Sequence, residues 1–244
     1  MRAVRLHPDG LRVDEVAVPT PGDGEVLVRV HAAAITRDEL EWPTDRLPAV
    51  VSYELSGEVA ATGEEVYALT PFDRDGVAAE YAVVPAAVLA PKPASLSHVE
   101  AAALPMGGLS AWQALFDRGH LEAGERVLVT GAGGGVGHLA VQIARTAGAE
   151  VVDEEPADLV FDTRGGVLHS GGRVVTIAAE APGADYFVVE PSRGQLVELA
   201  RLADAGVVRP AVDSTFPLEQ AAQAFDRLTA RGKRGKVVLD VAGS

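Results

Sequence analysis

The 244-residue chain contains no cysteine, which removes disulfides, thiolate nucleophiles and cysteine-ligated zinc together. Positive charge is also scarce: 21 Lys and Arg stand against 35 Asp and Glu, a formal net charge of −14. Such a surface repels polyanions, so nucleic acid and membrane are not expected as partners and a small-molecule substrate is. No run of eighteen apolar residues occurs, and the opening "MRAVRLHPDGLRVDEV" has no apolar stretch of signal-peptide length; a soluble, cytoplasmic protein is expected. Aromatic residues make up only 5%, yet 48% of the chain is apolar, enough for one large core or two modest ones.

What is present divides near Ser95. Before it lie short alternating segments cut by turn residues, such as "GDGEVLVRVHAAAI" with Val26, Val28 and Val30 on one face, which predict half-buried strands of a small antiparallel barrel or sandwich. After it, Leu109, Trp112, Leu115 and Phe116 recur at helical spacing, and Ser97 with Glu100 predicts a capping box. The strand "ERVLVTGA" leads through glycines into a helix with Val136, Leu139, Ala140, Ile143 and Ala147 on one face. Strands at "DLVFDT" and "GRVVTIAAE" and a helix at "SRGQLVELARLADAG" follow. This alternation predicts an α/β fold with a parallel sheet covered on both faces. The end, "FPLEQAAQAFDRLTARGKRGKVVLDV", reads as a capped helix and a terminal strand.

The glycine turn carries chemistry. Ala132, Gly133, Gly134, Gly135, Val136 and Gly137 form an A-x-G-x-x-G version of the dinucleotide fingerprint between an apolar strand and an amphipathic helix, the setting the motif requires. Gly134 lets backbone approach a pyrophosphate, Gly137 lets the helix pack close to the strand, and the helix N-terminus offers unpaired N–H groups. Acidic residues follow where a ribose diol would be held: Asp153 lies sixteen positions past Gly137, within a run, Asp153, Glu154, Glu155 and Asp158, that is the wrong sign for a 2′-phosphate. Solvated, the same run is a plain acidic turn.

Together with "EAAALPMGGLSAWQALFDRGHLEAGERVLVTGAGGGVGHLAVQIARTAGAEVV", the segments "AEYAVVPAAVLAPKPASLS", "GGRVVTIA" and "GKVVLDV" resemble the zinc-independent quinone oxidoreductase and enoyl reductase branch of the medium-chain dehydrogenase/reductase superfamily. The resemblance covers most of the chain. It implies a GroES-like β-barrel catalytic domain over 1–103, a truncated, reduced Rossmann-type parallel-sheet domain over 104–207, and a segment 208–244 that returns to the first domain. It implies hydride transfer from a nicotinamide cofactor to a quinone or an enone or enoyl double bond, with the nicotinamide near Thr36, Tyr53, Ser110 and Ala178 in the loop after "VTIA". Thr36 and Tyr53 are the catalytic candidates, Tyr53 as proton donor, although a core tyrosine would serve the sequence as well; Trp42 is a candidate pocket wall. Zinc-dependent relatives carry cysteine at Thr36 and a His-Glu pair at Tyr53-Glu54, so no metal is expected. The histidines, His7, His31, His98, His120, His138 and His169, show no paired metal spacing, and His138 is a candidate cofactor contact. A homodimer is compatible with the resemblance.

The chain is a shortened version of that pattern. Only six residues, Asp153 to Asp158, separate two strands, where a parallel crossover takes a dozen or more. "DTRGGVLHSGGRVV" and "GEVAATGEEVYAL" are cut in the same way. NAD(P)H is therefore expected to bind weakly, NADH at least as well as NADPH; tight NADPH binding would need a basic group from elsewhere, with Arg145, Arg164 and Arg173 the candidates. Two other functions stay open: a non-redox descendant that uses the interdomain cleft for acid–base or cyclisation chemistry or small-molecule binding without nucleotide, and a catalytically silent interaction protein.

Overall fold

A computed structural model describes residues 1–42, 46–165 and 171–243; His169 and the centre of "DTRGGVLHSGGRVV" lie outside them. The long strand Glu25–Ile35 is the spine of the first layer. It pairs antiparallel with Glu54–Val59, Tyr81–Pro85 and, at its far end, Lys236–Asp240. Its first half alternates as the sequence predicts, Val28 and Val30 buried and Arg29 exposed. Its second half, Ala32–Ile35, is buried on both sides, because Ala33 and Ile35 join the barrel core while Ala32 and Ala34 pack against the helix His98–Ala102. Small alanines permit that close approach of a helix to a sheet. A separate sheet joins Gly10–Glu15, Arg2–His7 and Ala49–Val50.

The last segment returns to this layer. Val212–Pro217 runs parallel to Lys236–Asp240 at the sheet edge, and the helix Ala221–Thr229 between them drives Ala224, Phe225 and Leu228 into the barrel core. This helix enters from the 3-10 turn Leu218–Gln220 with no side-chain cap, unlike the capped start expected. The capping box at Ser97 and Glu100 does form.

The second layer is a five-stranded parallel sheet in the order Glu150–Val152, Arg126–Val129, Leu159–Asp162, Arg173–Thr176, Asp185–Tyr186. Asp153–Asp158 carries the chain from the edge strand past Arg126–Val129 to its other side. Two strand spacings are about 10 Å and six extended residues reach roughly 20 Å, so a bare crossing suffices. It is pinned at one end, where Asp158 N–H donates to Arg126 O and Arg126 N–H to Asp158 Oδ2, both 2.8 Å. The two faces of this sheet are covered differently. Helices Pro105–Trp112, Gly137–Thr146 and Arg193–Asp204 bury Val127, Val129, Phe161 and Val175 on one face. On the other, Leu128, Val160 and Val174 are also buried, in a smaller apolar cluster with Val152, Ala157 and Ala184. No helix among the described residues is long and apolar enough to cross a membrane.

Candidate active site

Four separate elements meet where the barrel faces the helix Pro105–Trp112. Thr36 follows the end of the spine strand, Glu54 opens the next strand, Met106 lies in the first turn of the helix, and Lys236 opens the terminal strand. Lys236 Nζ donates to Glu54 Oε1 and to Thr36 Oγ1, the latter at 2.9 Å. Met106 N–H donates to Glu54 Oε2 at 2.8 Å, so both oxygens of this fully buried carboxylate are engaged. Burial raises the Glu54 carboxyl above the usual range, opposed by the Lys236 charge.

A second buried carboxylate sets the frame. Glu39 accepts from the backbone N–H groups of Thr36, at 3.0 Å, and of Ser52, tying together the two loops that present Thr36 and Tyr53. Burial pushes its carboxyl up to about 7, against the two N–H groups that favour its charge. Asp38 and Ser52, which flank this tie, both have left-handed backbone, φ 64 and 69°. Ser52 holds that strained conformation with its hydroxyl donating to Ala34 O at 2.8 Å.

Tyr53 is half-buried in an aromatic cluster. Its ring stacks on Trp42 at 5.8 Å, and Phe72 meets both edge-on, at 5.1 Å from Tyr53 and 5.5 Å from Trp42. Burial raises the phenol above its ordinary value, with Glu39 adding to the shift, so the hydroxyl keeps its proton near neutral pH.

The glycine turn is built for close approach. A Cβ on Gly137 would fall 2.3 Å from Gly131 O, so only glycine admits the helix there; one on Gly134 would meet the same oxygen at 3.2 Å, and one on Gly133 nothing within 4 Å. Among the described residues the N–H groups of Val136 and Gly137 have no backbone acceptor at the start of a ten-residue helix. This is an anion-binding arrangement. Lys236 crosses above it, its Cδ 2.9 Å from where a Gly135 Cβ would stand, and Gly134 bridges to Gly235. Lys233 lies nearby, its ammonium lowered to about 8 by burial and then by Lys236. The return segment thus brings Lys233 and the stem of Lys236 to the turn, the Lys236 ammonium reaching on to Glu54.

The other sequence candidates fall as follows. Ala132 is exposed at the turn. Ser110 is buried in its helix, 2% exposed. Ala178 is exposed and holds its N–H to Thr176 Oγ1 at 3.1 Å, beside Gly165. Asp153 is exposed and, one residue past the Val152–Leu128 pair, stands level with Val129 at the foot of the glycine turn. His138 is corrected: its Nδ1–H donates to Gly134 O at 2.7 Å and its Nε2 accepts from Ala211 N–H at 2.9 Å, so both nitrogens brace the backbone rather than meet a cofactor. Arg173 is bound by Glu125 at the opposite end of its strand, and Arg145 sits in the last turn of the phosphate helix. Only Arg164 lies at the turn, its Nε 3.2 Å from a Gly131 Cβ position. The reading of the histidines as unpaired is also corrected, since the fold sets the His31 and His98 rings 4.1 Å apart. Lys236 and Glu39 escaped sequence reasoning altogether. The one available signal was a lysine opening the apolar terminal strand, an expensive place for an unpaired charge.

A barrel layer and a parallel-sheet layer meeting over a glycine turn and a buried Lys-Glu-Thr centre define a two-layer α/β protein of the alcohol dehydrogenase type. Residues 22–74 match the family model for the alcohol dehydrogenase GroES-like domain, and 137–239 that for zinc-binding dehydrogenase. The chain is 30% identical to a quinone oxidoreductase of Lama guanicoe, covering 98% of this chain and 97% of that one. It is also 30% identical to a mitochondrial zinc-binding oxidoreductase of Arthroderma benhamiae, covering 91% of each. The quinone oxidoreductase of Thermus thermophilus, solved alone and with NADPH, superposes with a TM-score of 0.83 at 31% identity over 99% of this chain and 100% of that one. The protein belongs to the medium-chain dehydrogenase/reductase superfamily and is by class an oxidoreductase. The Lama guanicoe alignment runs over 320 positions against 244 residues here, so that relative carries segments this chain lacks.

Proposed function

We propose that the protein is a zinc-independent reductase that passes a hydride from a nicotinamide cofactor to a quinone or an activated enone or enoyl double bond. The observation that carries this is the Lys236 ammonium lodged between Thr36 and Glu54. Thr36 and Glu54 offer a metal only oxygen donors, the Met106 thioether 3.3 Å from Thr36 Oγ1 is a soft donor that suits copper(I) better than zinc, and the carboxylate is already paired with a fixed cation. They do not fit a tetrahedral zinc, which takes nitrogen and sulfur ligands as well. Lys236 places its ammonium there instead.

The residues at the turn fit a dinucleotide. The free N–H groups of Val136 and Gly137, with Lys233 nearby, would hold the pyrophosphate, and Thr36 and Tyr53 would border the nicotinamide. When bound, that cofactor supplies the hydride. Tyr53, protonated and half-buried, is suited to give the balancing proton to a carbonyl or enolate oxygen, while Lys236 acts through Thr36 to stabilise negative charge as it develops there. Trp42 and Phe72 fix the Tyr53 ring and keep water from that side.

Affinity should be low, because the crossing loop offers no cation for a 2′-phosphate. Two or three lost charge-assisted contacts at roughly 1.5–3 kcal/mol each cost several orders of magnitude in Kd. Calorimetric titration with NADH and NADPH, followed by turnover with a quinone and an enone, tests the proposal. Binding of reduced cofactor with turnover that falls in Tyr53→Phe is the expected result. The exposed acidic crossing is what favours the non-redox alternative, and failure of both cofactors to bind at millimolar concentration would favour that alternative in its place.

A further inference from the structure

Away from the cleft, His31, Glu58 and His98 bring one ligand atom each within 4.8 Å of one another. None is near another in the sequence, and each is aimed by a different local device. His31 is the extra residue of a β-bulge: Val30 pairs with Gly57 and Ala32 with Ser56, leaving His31 without a cross-strand partner. Bulges re-aim a side chain in this way. His98 is the first residue of the helix capped by Ser97, and its Nδ1 hydrogen-bonds Ser56 Oγ at 2.8 Å, which fixes the ring with Nε2 turned toward Glu65. Glu58 pairs across the shortened hairpin with Glu65, two carboxylates directly opposite each other, a repulsive arrangement unless a cation lies between them.

The inward-facing atoms meet one another only in two loose His–Glu pairs. Arg29 holds Glu58 Oε2 at 2.6 Å, leaving Oε1 3.4 Å from His31 Nε2. Lys92 stands 3.4 Å from Glu65 Oε2, leaving Oε1 3.2 Å from His98 Nε2. His31 Nε2 is sealed from solvent without a hydrogen-bond partner, an arrangement that costs free energy unless something binds it.

We infer that His31, His98 and Glu58, with Glu65 as fourth ligand, form a structural zinc site on the barrel. Two imidazoles and two carboxylates are a zinc donor set, and tetrahedral ligands at zinc bond lengths of 2.0–2.1 Å stand roughly 3.3 Å apart. Small rotations of these half-buried side chains close the gap. The Ser56 contact is the outer-shell support such a histidine requires. Glu58 lies four residues along the strand from Glu54, about 13 Å, so this metal is separate from the cleft and leaves the proposed hydride chemistry zinc-independent. Its role is to staple the spine strand, the hairpin and the first helix together.

The test uses the untagged full chain, stripped with a chelator and titrated calorimetrically with Zn²⁺ alone. Saturable binding of about one equivalent and a higher melting temperature with zinc are expected. His31→Gln and His98→Ala should each weaken binding by about 100-fold or more, and Glu58→Gln by about 10–100-fold. The melting temperature of each variant in chelator reports whether it has folded. In the unsubstituted chain, Co²⁺ should give the intense visible absorption of a four-coordinate ion, a readout that needs no variant. Absence of saturable zinc binding overturns the proposal. So does zinc binding that survives either histidine substitution, which would place the metal at Glu54 or elsewhere.

Discussion

Lys236 and Glu54 stand 182 positions apart in the chain and form a single buried ion pair, with Glu54 at 0% and Lys236 at 6% exposure. Removing one member of such a pair leaves an uncompensated charge in a low-dielectric interior, which costs about 3–5 kcal/mol. Lys236→Met should therefore lower unfolding stability by that amount in urea titration, and adding Glu54→Gln should recover part of it. A single variant as stable as the parent chain would mean that Glu54 is solvated or neutral.

Glu39 gives a pH dependence of definite sign. Its carboxyl holds a proton up to about 7 in the folded protein against 4.5 as the unperturbed value, so between these pH values the folded state binds more protons than the unfolded one. The stability that depends on this proton is complete below 4.5 and is lost as pH rises through 7, by on the order of 3 kcal/mol. Glu39→Gln should carry a constant cost, since its amide can accept from only one of the two N–H groups, but it should abolish that decline. Chemical denaturation of both proteins across the window measures the difference in slope; parallel curves would show that Glu39 stays ionised.

The glycine turn separates folding from binding. Gly137→Val would place Cβ 2.3 Å from Gly131 O, and backbone cannot yield by that distance, so the variant should lose much of its stability. Gly134→Val meets the same atom at 3.2 Å and should fold, with a melting temperature within a few degrees of the parent, while losing nucleotide binding. Retained binding in the folded Gly134 variant would make the turn structural alone.

Arg164 is the basic residue poised at that turn. Its side chain lies against Gly131, with Nε 3.2 Å and Cγ 3.4 Å from the Cβ position, and it is exposed. If it replaces the cations of the missing adenosine loop, Arg164→Glu should weaken NADPH about tenfold or more and NADH less, as loss of a charge-assisted phosphate contact predicts. Equal losses for both cofactors would assign Arg164 to the pyrophosphate; no loss for either would remove it from the site.

Much of this architecture is written locally. Alternation at Val28 and Val30, the Ser97–Glu100 cap, and the strand-glycine-helix order around Gly134 each depend on neighbours within one turn or one strand, so the residues themselves determine them. The missing crossover is equally legible, because chain length between Val152 and Leu159 bounds what can be built there. What the tertiary structure alone decides is which distant side chains share a low-dielectric space. Lys236 reaches Thr36 and Glu54 because the terminal strand pairs with Glu25–Ile35 in one register, and Glu39 bridges two loops whose left-handed residues, Asp38 and Ser52, carry no glycine to announce them. His31 meets His98 only through a bulge, a one-residue slip in pairing that no periodicity records. Burial of the helix face was visible in the pattern, but the smaller cluster of Leu128, Val160 and Val174 with Ala157 and Ala184 was not, since it depends on how separate loops fold over the sheet.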